Sequence, residues 1–181
     1  MGGLWETAIK SAKTHLRKIV GTTPLTYEEL YTLLVQIEAC FNSRPICPMS
    51  NDGTDLTALT PGHLLIGVTS PLTSPPEADV TDIPVNRLTR HQLLTQMRQH
   101  FWKRWSSEYL TQLQQRVKWM HPSNVDVKVG ALTLLRDENT PPLQWRLGRI
   151  IAVHPGRDGL IRVIDVKTAS GILQRSLQKL L

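Results

Sequence analysis

Trp145-Arg-Leu-Gly-Arg-Ile-Ile-Ala-Val153, the turn Pro155-Gly-Arg-Asp-Gly159 and Leu160-Ile-Arg-Val-Ile-Asp-Val166 decide the fold class of this chain. Both arms are rich in branched apolar residues, and the Pro-Gly…Asp-Gly turn between them predicts a β-hairpin. Working outward, Ala131-Leu-Thr-Leu-Leu135 and Ile172-Leu-Gln-Arg-Ser-Leu177 read as further strands, with Ala169-Ser-Gly171 as a second turn. Four to five short strands in about fifty-five residues predict a small curled barrel, since an open sheet of that size leaves its edges bare. Strand alternation sends Arg146, Arg149, Arg162, Lys167 and Arg175 outward as the apolar set turns inward, and Arg157 sits in the turn. Cations so placed would grip phosphates without reading sequence, and salt would weaken them. Solubility is the bland reading of the same residues.

Upstream of the strands the period changes to that of helices. Trp5, Ala8, Ile9, Ala12, Leu16, Ile19 and Val20 make one apolar stripe, and Gly21 ends it. Thr26 opens a second helix, with Glu29 completing a capping box. Its apolar face is expected to be Leu30, Leu33, Leu34, Ile37 and Phe41, and Arg44-Pro45 stops it. Residues 46–85 read as a linker. The stretch from 45 to 85 holds seven of the twelve prolines, and its one apolar island is Leu59-Thr-Pro-Gly-His-Leu-Leu-Ile-Gly67. Asn86 is expected to cap a third helix of roughly thirty residues, about 45 Å long, ending near Trp119. Its seam would be Leu94, Met97, Phe101 and Trp105, and its length predicts a connector between units. The fold class is therefore α+β, divided as 1–45, 46–85, 86–121 and 122–181.

Charge is unevenly spread. The whole chain of 181 residues carries +6. Residues 51–85 contain five acids and no Lys or Arg, while residues 86–121 contain seven Lys or Arg and one acid. Such a balance favours a polyanionic partner. No apolar run reaches the ~18 residues that span a bilayer, so no membrane partner is expected. Cys40 and Cys47 form no CxxC and are too few for a disulfide framework, which points to a reduced intracellular setting. His15, His63, His91, His100, His121 and His154 lack zinc-ligand spacing. Neither a Gly-rich phosphate loop nor a nucleophile motif occurs.

On the first helix, Glu6, Lys10, Lys13 and Arg17 stand at i, i+4, i+7 and i+11, one carboxylate and three cations on one stripe. A metal-dependent phosphoryl-transfer site has this character, but one carboxylate cannot hold two hard cations. Further along, Trp102, Trp105 and Trp119 lie among Lys103, Arg104, Arg116 and Lys118. Aromatics interleaved with cations can stack on unpaired bases. Packing predicts the opposite use for Trp105, which continues the seam with Phe101.

Taken in order, several segments resemble BEL/Pao-type LTR retrotransposon integrases. Gly2-Gly-Leu-Trp-Glu6 with Lys10 and Lys13 resembles the third-acid segment of an integrase core, and Ile37-Glu-Ala-Cys-Phe-Asn-Ser-Arg-Pro45 the helix after it. Leu59-Thr-Pro-Gly-His63 with Leu65-Ile-Gly67, Phe101-Trp-Lys-Arg-Trp105, Glu108-Tyr-Leu110, Gln115-Arg-Val-Lys-Trp119, Gly148-Arg-Ile-Ile151 and His154-Pro-Gly-Arg-Asp-Gly159 follow in that family's order. The resemblance implies that residues 1–45 are the last two helices of an RNase H-like core and that 122–181 are an SH3-like or chromodomain-like barrel. It implies that Glu6 is the third metal-binding acid, with Mg or Mn as the parent enzyme's cofactor and none bound by this chain alone. It implies that Lys10 and Lys13 grip DNA, with Arg17 continuing their stripe. Homo-oligomerisation and a nuclear location follow from it as expectations. Because the two earlier catalytic aspartates of the family have no counterpart here, the chain by itself is expected to be a fragment with non-specific nucleic-acid binding and no enzyme activity. Two alternatives stand beside it: a mis-called piece of an active polyprotein, or a protein-interaction module built on the barrel, for which Trp145 is the one aromatic available to a cage.

Overall fold

The computed structural model describes residues 3–67, 77–120, 128–137, 140–156 and 161–177. In chain order it contains α1 (Gly3–Val20), α2 (Tyr27–Asn42), β1 (Cys47–Pro48), β2 (Ala58–Leu59), α3 (Pro61–Ile66), a 3-10 turn at Val85–Arg87, α4 (Arg90–Met120), β3 (Leu132–Leu134), β4 (Leu147–Pro155), β5 (Ile161–Thr168) and β6 (Gly171–Ser176). The class is α+β.

Local chemistry sets the helix ends. Gly21, at φ +53°, closes α1 by donating its N–H to the Arg17 carbonyl at 3.0 Å. Thr26 and Glu29 form the expected capping box at the start of α2. The start of α4 differs from expectation. Asn86 lies in the 3-10 turn, and the cap is Thr89, whose N–H and hydroxyl both reach Gln92 Oε1 while the Gln92 N–H reaches Thr89 Oγ1. Thr-x-x-Gln is itself a capping box, and it won over the earlier asparagine. Arg90, one residue on, donates through Nε to Glu29 Oε1 at 2.7 Å and through Nη2 to both Glu29 Oε2 and the Pro24 carbonyl. The starts of α2 and α4 are thus clamped together.

The helix expected to be a connector is the centre of the core. Leu33, Ile37 and Cys40 of α2 pack with Leu93, Leu94, Met97, Phe101, Trp102 and Trp105 of α4, and Leu16, Ile19 and Val20 of α1 close the third side. The buried face of α2 is therefore turned from the expected one. Leu30 and Leu34 are exposed, and Cys40 is fully buried in their place. Ile9, read as part of the α1 stripe, is also exposed. Along α4, every residue from Leu93 to Gln99 is buried, because residues 77–83 lie along the side that α1 and α2 leave open. Gln99 accepts from the Val80 N–H at 3.0 Å and donates to the Ala78 carbonyl, while Gln96 donates to the carbonyls of Val80 and Ile83, both at 2.7 Å. Two buried amides thereby satisfy the backbone of a segment that has no strand or helix partner.

The strands form an antiparallel meander in the order β3-β4-β5-β6. Register irregularities near Ile151 and Pro155 curl β4. Among the described residues β3 and β6 do not pair. The second core, Leu135, Ile150, Ile164 and Val166, lies on the inner face. Gly148 of β4 pairs with Thr168 of β5 and has no room for a side chain. A Cβ there would stand 2.4 Å from Val166 Cγ1 and 2.9 Å from the Lys167 carbonyl oxygen.

Two predictions follow from these contacts. Gly148→Ala should lower the unfolding free energy by about 1–3 kcal/mol in chemical denaturation, since the backbone at Lys167 must move; an unchanged midpoint would show that the sheet has room there. Acid should also destabilise the helical clamp. The Arg90 guanidinium beside Glu29, with the Thr26 N–H, holds the Glu29 carboxyl below its ordinary value. A depressed carboxylate contributes stability in full above the unfolded pKa of about 4.3, and that contribution is lost as pH falls through the lower folded value. The thermal midpoint should drop on acidification below about pH 4, with a shallower drop in Glu29→Gln; identical pH profiles for the two chains would remove this pair from the account.

Candidate nucleic-acid interface

Helical period divides α1 into two faces. His15 is buried and Leu16, Ile19 and Val20 pack on the core, so Glu6, Lys10, Lys13 and Arg17, on the other side of the cylinder, are all exposed. The rotation of α1 is set by a polar pin. His15 Nε2 lies 2.7 Å from Glu108 Oε2, and the other oxygen of Glu108 accepts from Ser11 Oγ at 3.2 Å and from Gln112 Nε2 at 3.1 Å. The His15 ring stands edge-on to Phe101, with centroids 5.9 Å apart. No local sequence signal links His15 to Glu108, which lie far apart in the chain and meet only through packing. With this pin in place the α1 cations face solvent. Lys10, Lys13, Arg17 and the neighbouring Lys18 make no ion pair among the described residues.

Glu6 is exposed on this face, and among the described residues no three His, Cys, Asp or Glu side chains gather into a metal-binding group. A divalent cation takes about six oxygens. Glu6 alone does not fit a two-ion centre. Cys40, at 0% exposure, is no nucleophile either, because burial pushes its thiol up to about 12.

The sheet cations meet different fates. Arg149, expected to point into solvent, is 3% exposed. Its guanidinium donates to the carbonyls of Asp55 and Gly130, both at 2.7 Å, and to that of Ser50. Residues 50–57 lie over the side of β4 that alternation assigned to solvent, and this is why the expectation fails. Arg146 is half-buried and ion-paired with Asp137. Arg175 is half-buried and reaches the Gln174 carbonyl. Lys167 and Arg162 are exposed, and Arg157 lies outside the described residues. On α4, Lys103 and Arg104 are exposed. Of the tryptophans, Trp102 and Trp105 are buried at 3% and 4%, so neither offers a face to a base. Trp102 Nε1 donates instead to the Thr140 carbonyl at 2.9 Å. The side chains of Trp119, Arg116 and Lys118 lie outside the described residues.

Trp145 is likewise engaged. It packs against Trp102, Trp105 and Tyr109, and its Nε1 donates to Ser43 Oγ at 3.0 Å. Beside it is a cavity of about 340 Å³ bordered by Met49, Leu56, His63 and Leu147. Among the described residues no Lys, Arg, Asp or Glu lines that cavity.

The chain belongs to a family of unknown function (DUF5641), whose model matches residues 89–181, just over half of the sequence. The match begins at Thr89, the cap of α4, and runs through the sheet to the end. No curated protein and no solved structure matches the chain.

The buried Arg149 generates a prediction. Arg149→Met leaves three carbonyls without their donor and should cost about 2–4 kcal/mol of stability. Denaturant unfolding monitored by tryptophan fluorescence measures it, and a loss under about 0.5 kcal/mol would mean that water replaces the guanidinium without penalty.

Proposed function

We propose that this chain is a nucleic-acid-binding part of a BEL/Pao-type retrotransposon integrase, contacting phosphates chiefly through the exposed face of α1. The observation that carries the reading is the row Lys10, Lys13 and Arg17 held outward, without acidic partners among the described residues, by the His15–Glu108 pin. The buried tryptophans support backbone contact over base stacking, and backbone contact is indifferent to sequence and sensitive to salt. On this reading α1 and α2 correspond to the closing helices of an RNase H-like core, and β3–β6 to an SH3-like or chromodomain-like unit. The bulged four-stranded meander is compatible with such a unit. Glu6 is then the family's third metal-binding acid, and strand transfer requires carboxylates that this chain does not bring to it among the described residues. On this reading the protein works in the nucleus. Recognition of a protein tail through an aromatic cage is the weaker reading, since Trp145 is packed against α4.

Salt-titrated fluorescence anisotropy on a short DNA duplex tests the proposal. Lys10→Ala/Lys13→Ala/Arg17→Ala should weaken binding at low salt and flatten the slope of log K against log salt by roughly 0.9 for each contact removed. Failure of the wild-type chain to bind DNA at low salt, or a slope that the triple variant leaves intact, would sink it.

A further inference from the structure

Where it is described, the acidic segment of residues 51–85 packs against the basic half of the molecule. Of its five acids, one is paired with a cation and three more lie close enough to a cation to feel its charge. Glu77 pairs with the buried Arg98, and Asp79 lies near Lys103 and His100. Asp52 lies near Arg149 and Lys167, and Asp55 near Arg149. The contact at the sheet is the most developed. Arg149 and Lys167 are direct partners across β4 and β5, so their side chains share one face. Residues 50–57 lie on that face, held by the bonds from Arg149 to the carbonyls of Ser50 and Asp55. Each carboxylate is set by its own turn. Asp52 Oδ1 accepts the Thr54 N–H at 2.9 Å, and Asp55 Oδ1 accepts the Thr57 N–H at 2.8 Å and its hydroxyl at 2.7 Å. These bonds hold both carboxyls below their ordinary range, so both are charged at neutral pH.

We propose that residues 50–57 are an acidic strap that occupies a second phosphate-binding surface of this protein, the Arg149–Lys167 face of the sheet, in place of nucleic acid. The proposal rests on the nucleic-acid reading above and extends it. Two carboxylates supply at this face the negative charge that phosphates would bring. A polyanion must displace the strap to reach Arg149, whereas Lys167 is already exposed at its edge. The strap keeps the sheet out of the first encounter and leaves α1 as the ready surface. Nucleic acid that lifts the strap gains contacts on the sheet.

The full-length chain and a short fluorescein-labelled DNA duplex test this by salt-titrated anisotropy. Asp52→Asn/Asp55→Asn keeps both carbonyl acceptors and removes two charges. Glu28→Gln/Glu38→Gln removes two charges from exposed positions of α2 and controls for net charge. The strap variant should bind roughly five-fold more tightly than the charge-matched control. Its slope of log K against log salt should be steeper by about one to two, and Lys167→Ala in the same background should abolish the gain. Equal gains in the two charge-matched variants, or a gain that survives Lys167→Ala, would overturn the strap while leaving binding through α1 in place. Absence of DNA binding by every variant would overturn the nucleic-acid reading and the strap with it. Thermal melts of each variant check that the fold is kept.

Discussion

Trp145 precedes β4 by two residues and inserts edge-on into the aromatic row of α4, with ring centroids 4.8 Å from Trp102, 5.8 Å from Trp105 and 5.6 Å from Tyr109. Aromatic pairs of this kind contribute about 0.5–1.5 kcal/mol each beyond the area they bury. The indole also donates to Ser43 at the end of α2. One side chain therefore ties the sheet to two helices. Because α4 is held at this point, its earlier turns are positioned to receive α1, α2 and residues 77–83. α1, α2 and α4 share one core, and Trp145 anchors the sheet to it.

The second organising constraint is the cost of burying charge. Arg149 and Arg98 are both removed from solvent, and each is compensated differently. Arg98 has a carboxylate partner in Glu77, while Arg149 has backbone carbonyls backed by the nearby acids of residues 50–57. An unpaired buried cation costs several kcal/mol, so neither arginine is stable without the acidic segment in place. Composition marks that segment as a linker, yet it is packed and hydrogen-bonded where the structure describes it. Among the described residues Arg90, Arg98 and Arg146 are answered by acids and Arg149 by backbone carbonyls, whereas Lys10, Lys13 and Arg17 are exposed and form no ion pair.

Much of this was legible in the chain. Capping residues acted as written at Thr26 and Gly21, because these bonds span three or four residues and need no tertiary partner. The β-hairpins were legible for the same reason, as turn chemistry and strand alternation are local. Asn86 shows the limit of such reading. Two capping signals stood three residues apart, and the one that also supplies a Gln at the third helical position prevailed. The buried face of α2, Leu33, Ile37 and Cys40, lies less than one turn from the face that the apolar pattern marks. Leu30, Leu33, Leu34 and Ile37 form a broad apolar surface, and which half is covered depends on where α4 lies.

For the candidate interface, the sequence alone determined which residues carry charge, that Lys10, Lys13 and Arg17 share a helical stripe, and that Glu6 stands among them. Those are consequences of composition and of the 3.6-residue period. Only the tertiary structure decided that the stripe faces outward, that Arg149 is sequestered, and that Trp102 and Trp105 belong to the core. These outcomes depend on contacts between residues tens of positions apart, such as His15 with Glu108 and Arg149 with Ser50 and Asp55. Alternation along a strand assigns a side chain to a face, but whether that face meets water or another segment depends on what else folds over it.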